Sequence, residues 1–435
     1  MSGEMVGIIG SVVLLALIML RVPVGLALLL VGMAGYSILQ SVELALVQIG
    51  MSTFNYAGSY TLSVIPLFTL MGLFLTYSGT SEELYKAVDS WFGKVKGSLA
   101  MTTIGASAIF ASISGAAMST AATLGRISLP EMKRHNYDHG MAAASIAVGS
   151  TLGILIPPSV CLILYGVLTM EPIGALFLAG IVPGIILSLL FMLTIYIMVT
   201  LKPSMAPISD APSVSFSEKL RSLTKIWPIT VIFLVSIGGI YLGLFTPTEA
   251  GAIGAFGALV ITLFGRRLNW KGFVDSIEET ARITAMIFIM LLGANMFSNF
   301  LAVSRLPVTI TTYVSNLDVS PYVILAIILL IYLVLGTFME SISIQVLTLP
   351  IVYPIIIEAG FDGVWFSVIF VMMMCIALLT PPLGVCCYIL HGVDKSIPLE
   401  TIFKGALPFL ATMIIFTILL IIFPEIVLFV PNLMH

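Results

Sequence analysis

Residues Thr151 to Gly184 read TLGILIPPSVCLILYGVLTMEPIGALFLAGIVPG, and Leu378 to Phe409 repeat the pattern as LLTPPLGVCCYILHGVDKSIPLETIFKGALPF. The Pro-Pro pairs, Pro157-Pro158 and Pro381-Pro382, the Leu-x-Gly-Val elements from Leu164 and Leu390, and the Gly-x-x-Pro elements from Gly180 and Gly405 recur in the same order and at nearly the same offset along the chain. The chain therefore reads as a duplication. Proline has no N–H to give the helical ladder and disfavours helix just before it, so each copy contains a broken helix. Repeats whose corresponding apolar segments are interrupted by Pro or Gly point to the binding site of a secondary transporter.

Composition sets the solvent in which these breaks sit. The 435 residues are 59% hydrophobic and 9% charged, against about 25% charged in ordinary soluble domains. Apolar runs of roughly 20 residues recur along the chain, as membrane-spanning helices require. The fold class is thus an all-α polytopic membrane protein. The first run, Met5 to Leu20, lacks a basic leader and a small-residue cleavage site, so it is expected to stay as a membrane helix. The net charge of -3 carries little information, because orientation follows the Lys and Arg near helix ends. Cys161, Cys375, Cys386 and Cys387 lie in apolar segments without metal-ligand spacing and read as small lipophilic side chains.

Basic residues accumulate on the cytoplasmic side, and they cluster at Arg21, Lys94 with Lys96, Lys133 with Arg134, Lys202 to Lys225, Arg266-Arg267 with Lys271, and Lys395 with Lys404. The apolar segment between Gly97 and Pro130 is flanked by basic residues at both ends, which predicts a re-entrant hairpin that enters and leaves on one side. Its turn is Ser112 to Thr120, SISGAAMST, where small residues let two half-helices pack closely. GTFMESIS, Gly336 to Ser343, answers this turn in the second copy, and Leu349-Pro350 answers Leu129-Pro130, both close to the offset of the Pro-Pro pairs. Asp318, Glu358 and Asp362 flank this second hairpin without Lys or Arg, which puts its open end in the periplasm and makes the two copies inverted in the membrane. The expected division is N-terminal scaffold helices in 1–56 and a first repeat in 57–200 with its hairpin at 97–130 and broken helix at 140–170. A cytoplasmic connector in 201–225 and middle scaffold helices with an amphipathic arm in 226–280 follow. The second repeat, 281–435, has its hairpin at 319–356 and broken helix at 361–393. Roughly ten full crossings accompany the hairpins, and the stretches Glu82 to Lys96 and Leu268 to Thr280 are expected to lie along the membrane surface.

Removing backbone donors at the Pro-Pro pairs frees carbonyls of Gly153 to Ile156 and of Ala377 to Thr380. Free carbonyls beside a hydroxyl-rich turn form an oxygen cage for a small hard cation, and broken helices coordinate Na⁺ in this manner. The sequence predicts two such sites: Ser112, Ser114, Gly153, Ile156 and Pro158 for the first, and Gly336, Thr337, Ala377, Thr380 and Leu383 for the second. Ionisable residues within or beside the hydrocarbon cost roughly 2.5 to 3.5 kcal/mol to insert and so invite a functional reading. Glu340, at the tip of the second hairpin, would gate, bind a cationic or hydroxyl group, or pair with an arginine. Arg305, after the apolar run Ala281 to Leu301, is either an anion-binding guanidinium or a snorkelling interfacial residue. Glu249, in FTPTEAG, is either a loop residue or a buried ligand. Ser119, Thr120 and Ser341 offer uncharged hydrogen bonds to an acidic solute, and Arg126 faces the cavity or anchors the first hairpin.

Four motifs carry a family resemblance: SGAAMSTAATLGRISLPEMKRHNYDHGMAAA from Ser114, GSTLGILIPPSVCLILYG from Gly149, PIGALFLAGIVPG from Pro172, and GIYLGLFTPTEAGAIGAFGAL from Gly239. Together they resemble the large membrane subunit of tripartite ATP-independent periplasmic (TRAP) transporters, of the DctM type, over essentially the whole chain. That resemblance implies a sodium-coupled elevator of the ion-transporter-superfamily kind in a bacterial inner membrane. Its partners would be a small DctQ-type membrane subunit and a DctP-type periplasmic binding protein that delivers an organic acid, such as a C4-dicarboxylate, sialic acid or another sugar acid. It also implies that the tip serines and the Pro-Pro breaks hold Na⁺; many members carry Asp where Glu340 stands. No Gly-x-x-x-x-Gly-Lys-[Ser/Thr] loop is present and no nucleic-acid partner is indicated, so the energy is expected from an ion gradient rather than ATP. His135, His139, His391 and His435 are scattered, and no His-Glu-x-x-His or Gly-x-Ser-x-Gly constellation supports an enzyme. A stand-alone sodium-coupled anion carrier and, more remotely, a channel are the alternatives.

Overall fold

The computed structural model describes residues 2–20, 22–92, 95–207, 216–224, 226–315 and 319–434, and every regular element among them is helical. Arg21, Lys94, Lys225 and Asp318 of the flanking charges, Pro212 of the connector and His435 lie outside the described residues. Six described helices are long and apolar enough to cross a membrane, or seven if the bent pair Val42–Ala57 and Thr61–Tyr77 forms one span. This is fewer than the roughly ten expected from apolar runs. Helices such as Gly3–Met19, Val24–Leu39 and Trp227–Tyr241 are apolar but stop at 17, 16 and 15 residues. At about 1.5 Å per residue they reach about 22 to 26 Å, at the lower end of what a single span needs, and the roughly ten crossings expected would count helices of this length.

Each Pro-Pro pair interrupts a helix. The first broken helix runs His139–Leu155 and resumes as Val160–Thr169, and the second runs Gly363–Ala377 and resumes as Val385–Val393. Asp138 and Asp362, equivalent positions of the duplication, cap the two starts by accepting from Met141 N at 2.9 Å and Trp365 N at 2.8 Å. Such a cap satisfies donors that the first turn leaves unpaired. After the first break Ser159 caps the restarted helix, its Oγ accepting from Leu162 N at 3.3 Å.

Two helical hairpins face these breaks. Ser98–Ser114 and Ala117–Arg134 pack on each other across Gly115 and Ala116, and Pro321–Gly336 and Ser341–Glu358 do so across Thr337 to Glu340. Gly115 turns in the left-handed region, φ 60°, with the Pro158 carbonyl oxygen 2.5 Å from where a Cβ would sit. Glycine alone satisfies both demands at low cost.

The stretch Leu268 to Thr280 is not a separate surface helix. It opens a continuous helix, Trp270–Ser304, of 35 residues, because nothing between Thr280 and Leu301 interrupts the ladder. This long helix packs along Val24–Leu39, where a Cβ on Gly32 would come within 2.6 Å of Phe297 N. The other amphipathic stretch forms Thr80–Phe92, tied to the start of the long helix by Arg267 to Glu83 at 2.6 Å. The described part of the connector includes Phe216–Leu223, which meets Thr80–Phe92 where Ser222 and Ser90 share a hydrogen bond of 2.8 Å. All four cysteines are free and buried.

Candidate functional site

The tip of the first hairpin is laid against the first break. Val160 N donates to Gly115 O at 3.4 Å, and a Cβ on Gly153 would come within 3.0 Å of Ala116 O. Ser114 and Thr120 hydroxyls share a hydrogen bond of 2.8 Å, and Thr120 Oγ1 donates to Ala116 O at 2.9 Å. Pro157 and Pro158 give no N–H to Gly153 and Ile154; Ser159 Oγ takes up the Ile154 carbonyl at 2.6 Å. The expected first cation set is thus brought together at Ser114, Gly153 and Pro158. The Ser112 hydroxyl donates to Ile109 O at 2.6 Å, and Ile156 follows the last turn of its helix with its side chain against Gly184, while both were expected to contribute main-chain oxygens.

The second set meets less closely. Gly336 rests on Ala377, but the carbonyls expected to be free are largely taken. Ala377 O accepts from Thr380 N at 3.2 Å, Leu378 O from Cys386 N at 3.2 Å and Thr380 O from Gly384 N at 3.0 Å. The chain recovers, in tight turns, the donors that Pro381 and Pro382 withhold. Thr337 and Thr380 hydroxyls donate to Val334 O and Ile376 O, each at 2.7 Å, and Leu383 is exposed.

A cavity of about 580 Å³ joins both regions. One wall is made by Ser114 to Ser119 of the first tip, Ile154, Val160 and Cys161 of the first break, Leu378 of the second, and Glu340 to Ile342 of the second tip. The lining also includes Thr69, Gly72, Leu73 and Thr76, of which Gly72 packs on the first hairpin beside Ser114, and, on the long helix, Glu279, Ile283 and Met286. The volume suits a small organic molecule. Glu340 caps Ser341–Glu358, accepting from Ser343 N at 3.4 Å, so a carboxylate meets the positive end of a helix at the cavity edge. Ser341 Oγ and Thr69 Oγ1 are buried and find no hydrogen-bond partner among the described residues. Both residues belong to the lining of the cavity.

Two expected residues stand elsewhere. Glu249 is exposed at the start of Pro247–Phe264 and completes a capping box, accepting from Thr246 N at 2.8 Å and Thr246 Oγ1 at 2.9 Å. Arg305 is exposed in the left-handed region, φ 62°, where it ends the long helix beside the start of the N-terminal helix. Neither lines the cavity, because each serves a helix end away from it. Ser119, Glu340 and Ser341 do line it; Thr120 is fully buried behind Ser114. Arg126 is exposed one turn beyond Ala122, its Nε donating to Ala122 O at 3.2 Å.

The model of the family described as "Tripartite ATP-independent periplasmic transporter, DctM component" matches residues 11–426. The chain belongs to this family. As a DctM component it is a transporter permease rather than an enzyme. It is 34% identical over 87% of its length to the C4-dicarboxylate TRAP transporter large permease protein DctM of Pseudomonas aeruginosa, covering 88% of that protein. It is 32% identical over 96% of its length to the sialic acid TRAP transporter large permease protein SiaM of Vibrio cholerae, covering 97% of it. Its fold is similar to that in the crystal structure of the Alcanivorax borkumensis YdaH transporter, with a TM-score of 0.59 at 15% identity over 85% of this chain and 86% of the other.

No sequence motif marks the part of this DctM cavity lined by Thr69, Gly72, Leu73 and Thr76 and by the long helix. Glu279 accepts from Tyr77 OH at 2.9 Å and lies on one helical face with Ile283 and Met286, one and two turns further on. That spacing is visible in the sequence, but it straddles Thr280, where the amphipathic pattern gives way to an apolar run.

Proposed function

We propose that this chain is the transport subunit of a sodium-coupled secondary transporter that imports an organic acid across a bacterial inner membrane by an elevator motion. The observation that carries the reading is the make-up of the cavity. Both hairpin tips and both breaks line it together with helices that belong to neither hairpin nor break. A ligand held there sits on the boundary between a unit that moves and a unit that stays, which is where rigid-body alternating access requires it. The duplication, with hairpins opening to opposite faces, gives each side its own access. Na⁺ would be carried with the substrate, and Ser114 Oγ with the backbone oxygens around Gly153 and Pro158 is the donor set that suits it.

The family description implies a tripartite assembly, and a periplasmic binding protein with a small membrane subunit would complete it. Names of relatives point to C4-dicarboxylates and sialic acid; Ser119, Ser341 and Thr69 would supply hydrogen bonds to such a solute. Reconstitution decides between this and a stand-alone sodium-coupled anion carrier. Proteoliposomes holding the chain with its small subunit should take up the organic acid only with the binding protein outside and an inward sodium gradient. Uptake that persists without the binding protein would establish the stand-alone carrier, and uptake indifferent to sodium would remove the coupling.

A further inference from the structure

The second arm of each hairpin is fastened to the other copy of the duplicated segment at two equivalent heights. In the first hairpin Lys133, near the end of Ala117–Arg134, pairs with Asp394 and donates to Ser396 Oγ at 2.7 Å. Asp394 and Ser396 belong to the loop that follows the second broken helix. In the second hairpin Tyr353, in Ser341–Glu358, donates to Glu171 Oε1 at 2.5 Å. Glu171 belongs to the loop that follows the first broken helix, and it also fills the space beside Gly363, whose carbonyl accepts from Tyr165 OH at 2.9 Å. Lys133 and Tyr353 are related by the same offset as Leu129-Pro130 and Leu349-Pro350, and Glu171 and Ser396 by the offset of the Gly-x-x-Pro elements. The fastening is therefore one feature present twice with different chemistry.

About two helical turns before each clamp the arms are fastened again. Gly125 lies so close to Leu390 that a Cβ would come within 2.8 Å of its Cδ2. At the equivalent position of the second hairpin, fully buried Gln345 donates to Cys161 O at 2.8 Å, and Cys161 Sγ donates back to Gln345 Oε1 at 3.4 Å. Leu390 and Cys161 both lie on the restarted half of a broken helix.

We propose that Lys133 with Asp394 and Tyr353 with Glu171 are positioning residues that hold the second arms fixed to the opposite copy throughout the transport cycle. Opening and closing of the tips then falls to the first arms and the turns. The inference rests on the elevator reading, and it adds which part of each hairpin is a strut.

Two double-cysteine variants test it, Lys133→Cys with Asp394→Cys and Glu171→Cys with Tyr353→Cys, each in the complete assembly and joined by a short bifunctional thiol reagent. The four natural cysteines are buried. The cross-linked forms are expected to keep uptake within about five-fold of the same variant left unlinked, the lower limit of an ordinary coupling effect. A larger fall in either pair overturns the proposal, because that arm must then move. The rate of cross-linking in sodium and in choline buffers is read without transport: rates within about five-fold of each other support fixed arms and a wider difference overturns them. If the unlinked variants and the natural chain alike show no uptake, it is the transporter reading that fails, while the cross-linking rates still judge the clamps.

Discussion

The two Pro-Pro breaks share a chain path but not an environment. Pro157, Pro158 and Ser159 are buried against the first hairpin tip, whereas Pro381, Pro382 and Leu383 are exposed. The first break leaves the Gly153 carbonyl without its usual donor, while the second closes its carbonyls into turns at Ala377, Leu378 and Thr380. The second tip brings to the cavity Glu340 and Ser341, whose hydroxyl has no partner among the described residues, where the first tip offers only neutral hydroxyls. The duplication thus repeats where the backbone breaks, while the surroundings of the two breaks have diverged.

Gly115→Ala should break this comparison most severely. A left-handed alanine costs about 1 to 2 kcal/mol before the clash with Pro158 O is counted, so half-saturating sodium for uptake should rise by at least about ten-fold. An unchanged sodium curve would remove the first tip from the cation site. Glu340→Gln should lower initial uptake by about ten-fold, the loss typical of a hydrogen bond to a charged group, with Glu340→Asp restoring part of it. Equal rates for wild type and Gln would leave the second tip with no chemistry of its own. Ser114→Ala and Thr380→Val sharpen the contrast. The first should raise half-saturating sodium about five-fold and the second by less than about two-fold, because the Thr380 hydroxyl is already committed to Ile376 O at 2.7 Å. A larger effect at Thr380 would reverse the assignment.

The smallest effect concerns stability. Hydrogen bonding from Lys133 and Ser396 depresses the Asp394 carboxyl to about 2. A carboxyl depressed on folding stabilises the native state above its unfolded value of about 4, and that contribution fades as the pH falls toward the folded value. Asp394→Asn should therefore lower the melting temperature of the purified assembly by about 1 to 3 °C at pH 7, with the gap narrowing below about pH 4. A gap that is constant or wider in acid would show that the pair contributes packing rather than charge. Asp89, on the amphipathic helix Thr80–Phe92, is raised by burial despite accepting from Thr102 Oγ1 at 3.2 Å, so acid should favour rather than weaken its surroundings.

The helical breaks were legible because proline removes a donor wherever it stands, and the hairpin tips because small residues and flanking charges mark them. Glu249 and Arg305 drew a ligand reading because a lone charge between apolar runs looks the same whether it caps a helix or faces a solute. Thr246, just ahead of Glu249, was the available clue, a capping box written in the sequence. Glu279 was hidden for the opposite reason. Its helix begins polar and continues apolar, and only tertiary packing reveals that the polar part and the crossing are one rod facing the tips.

That rod has a consequence for the lipid. Its 35 residues extend about 52 Å, well beyond a hydrocarbon core of about 30 Å, so the helix must tilt or run out along the interface. Glu279 on the same helix lines the cavity with the hairpin tips, so a change of tilt would move one part of that lining relative to the rest. Acyl-chain length would then act as a tuning variable for transport, with no residue changed.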